Sequence, residues 1–294
     1  MIDFTEVAVG TGGSVACSRC HTAPDAVAYS PAAEVVAAIE SAVSSWRGAP
    51  GPNVSLGGPE PFGHPDLPSI VAAAIGAGVK RLRFETDAVA LQSPNNAAGV
   101  LSAGVRQIRF TVLGGTPGIH DALSGVPGAL DATLAGIRSL RAAAEERAVF
   151  VSVSALVPAC RHNLRDLPAA VAVAVEAGAD SVLIRFEDGG ADLAGAIPWL
   201  TSACDTGVVN GVWVEVEGAP FCLLPGYDLH LADAVRARPG SKPPLCRRCP
   251  LDTACAGGPP GAAADLLASF APPPFAERLA PAVARAREGG APHA

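Results

Sequence analysis

NVSLGGPEPFGHPDLPSIVAAAIGAGVKRLRFETDAVALQSPNNAAGVLSAGVRQIRFTVL, residues 53–113, alternates two kinds of segment. NVSL (53–56), RLRFE (81–85) and RQIRFTVL (106–113) are short runs built on Val, Leu, Ile and Phe, as expected of strands in a parallel sheet covered by helices. SIVAAAIGAG (69–78) and NNAAGVLSAG (95–104) are alanine-rich, carry their apolar residues on a broad face and end in glycine, as helices do. The alternation continues on both sides. FTEVAV (4–9) reads as a strand, and Ser30-Pro31 supplies an N-cap and a first-turn proline for a helix to about Trp46. Downstream come helix LDATLAGIRSLRAAAEE (130–146), strand AVFVSVSAL (148–156), helix LPAAVAVAVEAGA (167–179), strand SVLIRF (181–186), helix DLAGAIPWLTSA (192–203) and strand VWVEVEG (212–218). Six strand–helix units and a seventh strand predict an α/β fold. A doubly wound sheet and a full or partial (β/α) barrel share that period.

Composition narrows the function classes. The chain has 294 residues, 49% apolar and 17% charged, which excludes an intrinsically disordered protein. Its net charge of −7 argues against a nucleic-acid partner, which selects a basic face. The longest apolar run, Leu167 to Val175, is about half of a membrane span, so no membrane association is expected. The acidic start MIDFTEVAVGTGG lacks the basic and apolar regions of a secretory signal, and the expected location is the cytoplasm.

Eight cysteines in a reducing compartment point to metal or redox chemistry rather than disulfides. Cys17-Ser18-Arg19-Cys20 follows the first strand, at the end where parallel α/β folds place their sites. On its own the pair reads as packed thiols, half a zinc site, a redox dithiol or, with His21, a c-type haem attachment motif. Cys246-x2-Cys249-x5-Cys255 lies in a Pro/Gly-rich segment with no periodic element to bury it, and Cys222 offers a fourth thiolate. Four such thiolates suit one tetrahedral zinc or one iron–sulfur cluster. Cys160 and Cys204 have no motif partner and read as packed small hydrophobes. GTGG (10–13) is not a dinucleotide loop, because Val15 stands where the third glycine is needed. His64 and His120 read as loop hydrogen-bonding residues.

Several of these segments resemble, in order and spacing, those of the radical SAM proteins. Their cluster motif C-x3-C-x2-C follows the first barrel strand; Cys17 and Cys20 match its second and third cysteines, and Gly13 stands where the first belongs. VSLGGPEPFGHPDLP (54–68) resembles the family's glycine-rich GGEP segment, with Pro59 inserted before Glu60. RFETDA (83–88) resembles the third-strand segment ending Thr-Asn-Gly, with Asp87 and Ala88 replacing the last two residues. RFTVLGGTPGIHDALSGVPGALDATLAGIRSLRAA (109–143) resembles the fourth strand with its loop and helix, and VPACRHNL (157–164) the loop after the fifth. CRRCPLDTACAGGP (246–259) is similar to the SPASM or twitch auxiliary-cluster extension, with Pro259 where the longer motif has a further cysteine.

The resemblance implies an α/β fold: a partial (β/α)6 TIM-like barrel over 1–218, a small irregular cysteine-bearing module over 219–275, and a terminal helix and loose tail over 276–294. It implies reductive cleavage of S-adenosylmethionine on a 4Fe–4S cluster to modify a peptide or a small-molecule cofactor precursor. Cys17 and Cys20 would be metal ligands, and Gly57, Gly58, Glu60, Thr86 and Asn163 would line the S-adenosylmethionine site. Cys222, Cys246, Cys249 and Cys255 would hold a second, auxiliary cluster, or zinc. The glycine at position 13 motivates the alternative of a non-catalytic relative that binds a peptide or supports a partner enzyme through its C-terminal metal site.

Overall fold

A computed structural model describes residues 4–12, 27–47, 51–186, 193–231, 242–253, 255 and 257–258. Gly13, Cys17 and Cys20 lie outside the described residues, as do most of the helix expected at 229–237 and both helices expected beyond residue 260. In chain order the elements are β1 (Thr5–Ala8), β2 (Gly10–Thr11), β3 (Ala28–Tyr29), α1 (Ala32–Ser45), β4 (Asn53–Gly57), α2 (Leu67–Gly76), β5 (Arg81–Thr86), α3 (Pro94–Ser102), β6 (Gln107–Thr111), α4 (Pro117–Ser124), α5 (Ala129–Glu146), β7 (Ser152–Ala159), α6 (Leu167–Ala177), β8 (Ser181–Phe186), α7 (Leu193–Val209) and β9 (Trp213–Glu217). Proline opens α2, α3, α4 and α6, where its missing N–H is no loss.

Seven strands form one parallel sheet in the order β1-β4-β5-β6-β7-β8-β9. This sequential order separates the two architectures. A doubly wound sheet reverses its strand order part way, whereas right-handed crossovers taken always in one direction send every helix to the same face. Among the described residues β1 and β9 are not paired with each other, so the structure is an open (β/α) barrel of six strand–helix units and a closing strand.

The two faces of the sheet differ accordingly. Val54, Leu56, Phe84, Ile108, Phe110, Val153, Val182, Ile184, Val214 and Val216 alternate along the strands and join the helices in one apolar core. On α5 the core residues Leu130, Leu134, Ile137, Leu140 and Ala144 recur at three- and four-residue intervals. The opposite face carries Ser55, Arg83, Glu85, Arg109, Ser154, Arg185 and Glu217, brought level by the registers Ser55↔Arg83, Glu85↔Arg109, Arg109↔Ser154 and Arg185↔Glu217. The strands are therefore not wholly apolar, as their Val- and Phe-rich composition suggested. They are apolar outward and charged inward.

Beyond β9, Phe221, Leu223, Leu224, Leu231 and Leu251 are buried in the same apolar core as the barrel. The described part of the cysteine-bearing segment thus shares the barrel's core.

Candidate functional site at the mouth of the barrel

Parallel pairing brings the C-terminal ends of all seven strands to one mouth, and the segments singled out by sequence leave the sheet there. Gly57 ends β4. Gly58 follows with φ +95°, a conformation that glycine adopts without strain. Glu60 then caps a short 3₁₀ turn, Pro61–Gly63, by accepting the Phe62 N–H at 3.2 Å.

The Glu60 carboxylate reaches the end of β5. It accepts the Thr86 hydroxyl at 2.8 Å on Oε1 and the Asp87 N–H at 2.8 Å on Oε2. Thr86 Oγ1 in turn accepts the Ala88 N–H at 2.8 Å, and the Asp87 carbonyl accepts the Thr133 hydroxyl from α5. Ala88 has φ 62°, a left-handed turn that glycine more often supplies. Burial, then the nearby Asp87 carboxylate, push the Glu60 pKa up to about 8. A carboxyl that keeps its proton beside a second carboxylate is a seat that a cationic group would relieve.

The third support is a feature that sequence reading missed. β2 and β3 pair antiparallel through Gly10↔Tyr29 and Thr11↔Ala28. The Val9 N–H donates to Gly57 O at 2.9 Å, Ser30 N–H to Val9 O, and the Tyr29 hydroxyl to Glu60 O at 3.0 Å. The segment bearing Cys17 and Cys20 therefore leaves and returns beside Gly57 and Glu60. Two-residue strands carry no periodic signal, so only the tertiary structure exposes this clasp.

Asn163 is placed differently. Its amide donates to Leu113 O (2.8 Å) and Pro158 O (2.7 Å) and accepts the Cys160 N–H, which locks the loop after β7 to the end of β6. The structure thus joins Gly57, Gly58, Glu60 and Thr86 in one cluster, while the Asn163 side chain is engaged by backbone groups. His64 is a loop residue as expected, whereas His120 lies within helix α4 rather than in a loop; both are held by hydrogen bonds. His64 Nε2 meets Ser30 O and its Nδ1 accepts from Asp66 N, while His120 Nδ1 accepts from Leu113 N and burial pushes its pKa down. A cavity of about 230 Å³ opens beside the cluster, lined by Asp87, Thr111, His120, Ser124, Gly128 and Thr133 among others.

Sequence reading also overlooked the charged inner face. The alternation was present: R-x-R-x-E in β5, Arg109 in β6, Arg185 in β8 and E-x-E in β9 interleave charges with apolar residues. Cys160 packs with Leu113 and Leu123, and Cys204 is buried within α7 with its thiol pushed up to about 12 by burial.

At the far end of the chain, Cys246 and Cys249 sit at the end of a 3₁₀ turn, Pro244–Arg248, where the Cys249 N–H donates to Cys246 O. Burial pushes the Cys222 thiol up to about 12, and the neighbouring Cys255, Cys246 and Cys249 thiols add to the rise. Cys255 Sγ accepts the Gly257 N–H at 3.4 Å. Thiols near enough to influence one another's ionisation are donors of the kind that soft metals take. Among the described residues, no three donors are closed into a coordination geometry.

Fold and mouth together define an open (β/α) barrel with its candidate ligand groups at the strand C-termini. The same fold occurs in Streptococcus suis SuiB bound to S-adenosylmethionine, with a TM-score of 0.57 and 14% identity over 80% of this chain and 55% of SuiB. SuiB bound to the precursor peptide SuiA gives a TM-score of 0.55 and 13% identity over 79% of this chain and 53% of SuiB. A stretch of 135 residues is 30% identical to the AdoMet-dependent heme synthase of Methanosarcina barkeri, covering 46% of this chain and 36% of that protein. The chain thus spans about a third of that curated relative and about half of SuiB. No protein-family model matches it. Among the described residues no helix is long and apolar enough to cross a membrane.

Proposed function

We propose that this chain is a radical SAM-type protein that binds S-adenosylmethionine at the barrel mouth and acts on a peptide or a small cofactor precursor. The observation that carries this reading is the Glu60–Thr86–Asp87 cluster, in which the GGPEP and TDA segments converge beside the clasp of the cysteine-bearing loop. Similarity to a curated S-adenosylmethionine-dependent enzyme, and a fold shared with a protein solved with that ligand and with a precursor peptide, support it. Gly57 and Gly58 would present bare backbone to the methionyl group, and Glu60 would receive its ammonium. Cys17 and Cys20 would hold the cluster, with Cys222, Cys246, Cys249 and Cys255 holding an auxiliary one. When bound, the cluster and S-adenosylmethionine supply a 5′-deoxyadenosyl radical that takes a hydrogen atom from the substrate. The barrel's own task is to orient the groups and exclude water.

Anaerobic reconstitution with iron and sulfide counting, followed by assay for reductant-dependent 5′-deoxyadenosine, tests the reading. About eight irons per chain with nucleoside product is the expected result. A second reading rests on Gly13, which leaves two cysteines where three are needed: a non-catalytic relative that keeps only the C-terminal iron–sulfur or zinc site and binds a peptide or a partner enzyme. About four irons, lost in Cys246→Ala but kept in Cys17→Ala, without product, would establish that reading instead. Bound zinc in place of iron would identify the C-terminal site as a structural staple.

A further inference from the structure

Among the described residues the inner face of the sheet holds the guanidinium groups of Arg83, Arg109 and Arg185 with the carboxylates of Glu85 and Glu217. The buried Glu215 lies on the same face, and Glu6 of β1 is near enough to act on all three arginines. Arg185 has Glu217 to itself at 2.6 Å. Arg83 and Arg109 share Glu85 and meet the same atom, Oε1, at 3.1 and 3.3 Å, while the Ser55 hydroxyl donates to that oxygen as well. Arg83 has further support, because its Nε donates to Ser55 Oγ at 2.9 Å and the Phe4 ring lies 4.0 Å from its guanidinium. Arg109 is the group left short. It is only 4% exposed, its contact to Glu85 is long and shared, and its Nε has no hydrogen-bond partner among the described residues.

Guanidinium carries five N–H donors, and each one buried without a partner is destabilising. Burial pushes the pKa of both arginines down; at Arg109 the Glu85 carboxylate opposes the shift, the Arg185 cation adds to it, and Glu217 and Glu6 oppose it further. An acceptor bearing negative charge would remove both penalties at once, and the planar fork of arginine suits a two-oxygen partner. Arg109 is also within reach of the mouth. Thr111, two residues farther along the same face of β6 and so about 6–7 Å away, lines the cavity beside Asp87.

We propose that Arg109 anchors an oxyanion of the substrate, a carboxylate or phosphate, inside the barrel below the mouth. The assignment rests on the mouth being a ligand site, as read above, but not on cluster chemistry. It makes the substrate an acidic molecule whose anionic group points down the barrel axis while its reacting end stays at the strand termini.

The test is isothermal titration of the full, anaerobically reconstituted chain with glutarate and with inorganic phosphate, in the absence of S-adenosylmethionine. The unmodified protein should bind at least one of them, and Arg109→Met should weaken that binding tenfold or more. Glu85→Gln preserves the shape of the strand and removes the competing charge, so it should tighten binding several-fold. If Arg109→Met fails to fold, Glu85→Gln decides, and unchanged or weaker binding in it overturns the proposal. So does absence of anion binding by the unmodified chain. S-adenosylmethionine and its decarboxylated analogue are titrated separately. If Arg109→Met loses affinity for the first and not for the second, the anchor belongs to the cofactor carboxylate and the substrate assignment falls. Glutarate binding that depends on Arg109, with no S-adenosylmethionine binding at all, would sink the functional reading above and leave this assignment standing.

Discussion

At position 60 a carboxyl group is held by two backbone N–H donors and a hydroxyl, yet burial and Asp87 keep its pKa near 8, against an ordinary value of 4.5. Between those two values the folded chain holds a proton that the unfolded chain releases, so this group's contribution is fully present below pH 4.5 and is lost as pH rises through 8. Thermal melts of the unmodified protein should therefore decline across that window. In Glu60→Gln, which keeps the size of the side chain, the decline should shrink; an unchanged pH profile would refute the assignment of the proton to Glu60. Gly57, Gly58, Glu60 and Thr86 were singled out through the resemblance of their segments, and the structure brings them together at the strand ends. Arg109 was not singled out, since neither of the two arginines in RQIRF gives a hint that a neighbouring strand's carboxylate is already shared.

At the scale of elements, most helices and strands were read to within a residue or two, but α7, expected at 192–203, runs on to Val209, and the two-residue strands β2 and β3 were missed. The alanine-rich runs bounded by proline and glycine placed α5 and α6 to within a residue or two at each end, because capping chemistry is local. Strand β7 runs Ser152–Ala159 rather than 148–156. Ala148 takes φ 50° and Phe150 is 77% exposed, so AVF belongs to the turn, while the strand passes through Pro158, a residue that normally marks a strand's end. Helix α4, only eight residues with a glycine second in line, fell below any periodic signal. The β2–β3 clasp rests on close approach: a Cβ on Gly10 would lie 2.2 Å from Ala28 O. Gly10→Ala should force the clasp open at a cost of about 1–3 kcal/mol. It should also weaken S-adenosylmethionine binding in equilibrium dialysis while the far-ultraviolet dichroism of the barrel persists. Unaltered binding would mean that the clasp does not shape the mouth.

At the scale of the whole molecule, the α/β class was legible in the alternation, but strand order was not, because a doubly wound sheet has the same period and only the sequential order of the sheet separates the two. Which face would be charged was not legible either, since burial on both faces and burial on one produce similar Val-rich composition when the inner residues pair with each other. The segment after β9 looked like an appendage, but Leu251 is fully buried in the barrel's core. Leu251→Ala should cost about 2–5 kcal/mol and lower the melting temperature of the entire chain in one cooperative transition. Two resolved transitions, with only the smaller one shifted, would show that the C-terminal segment folds by itself.

The clasp has a consequence for how this chain can change over generations. The register Gly10↔Tyr29 fixes where the intervening segment starts and stops, and closing a loop costs only about 0.6 kcal/mol more for each doubling of its length. Substitutions or insertions between the two strands therefore leave the pairing of β1 with β4 intact. A segment tethered in this way is free to exchange its chemistry while its scaffold stays still. Position 13 lies in that segment, so a substitution of Gly13 should leave the barrel scaffold unchanged.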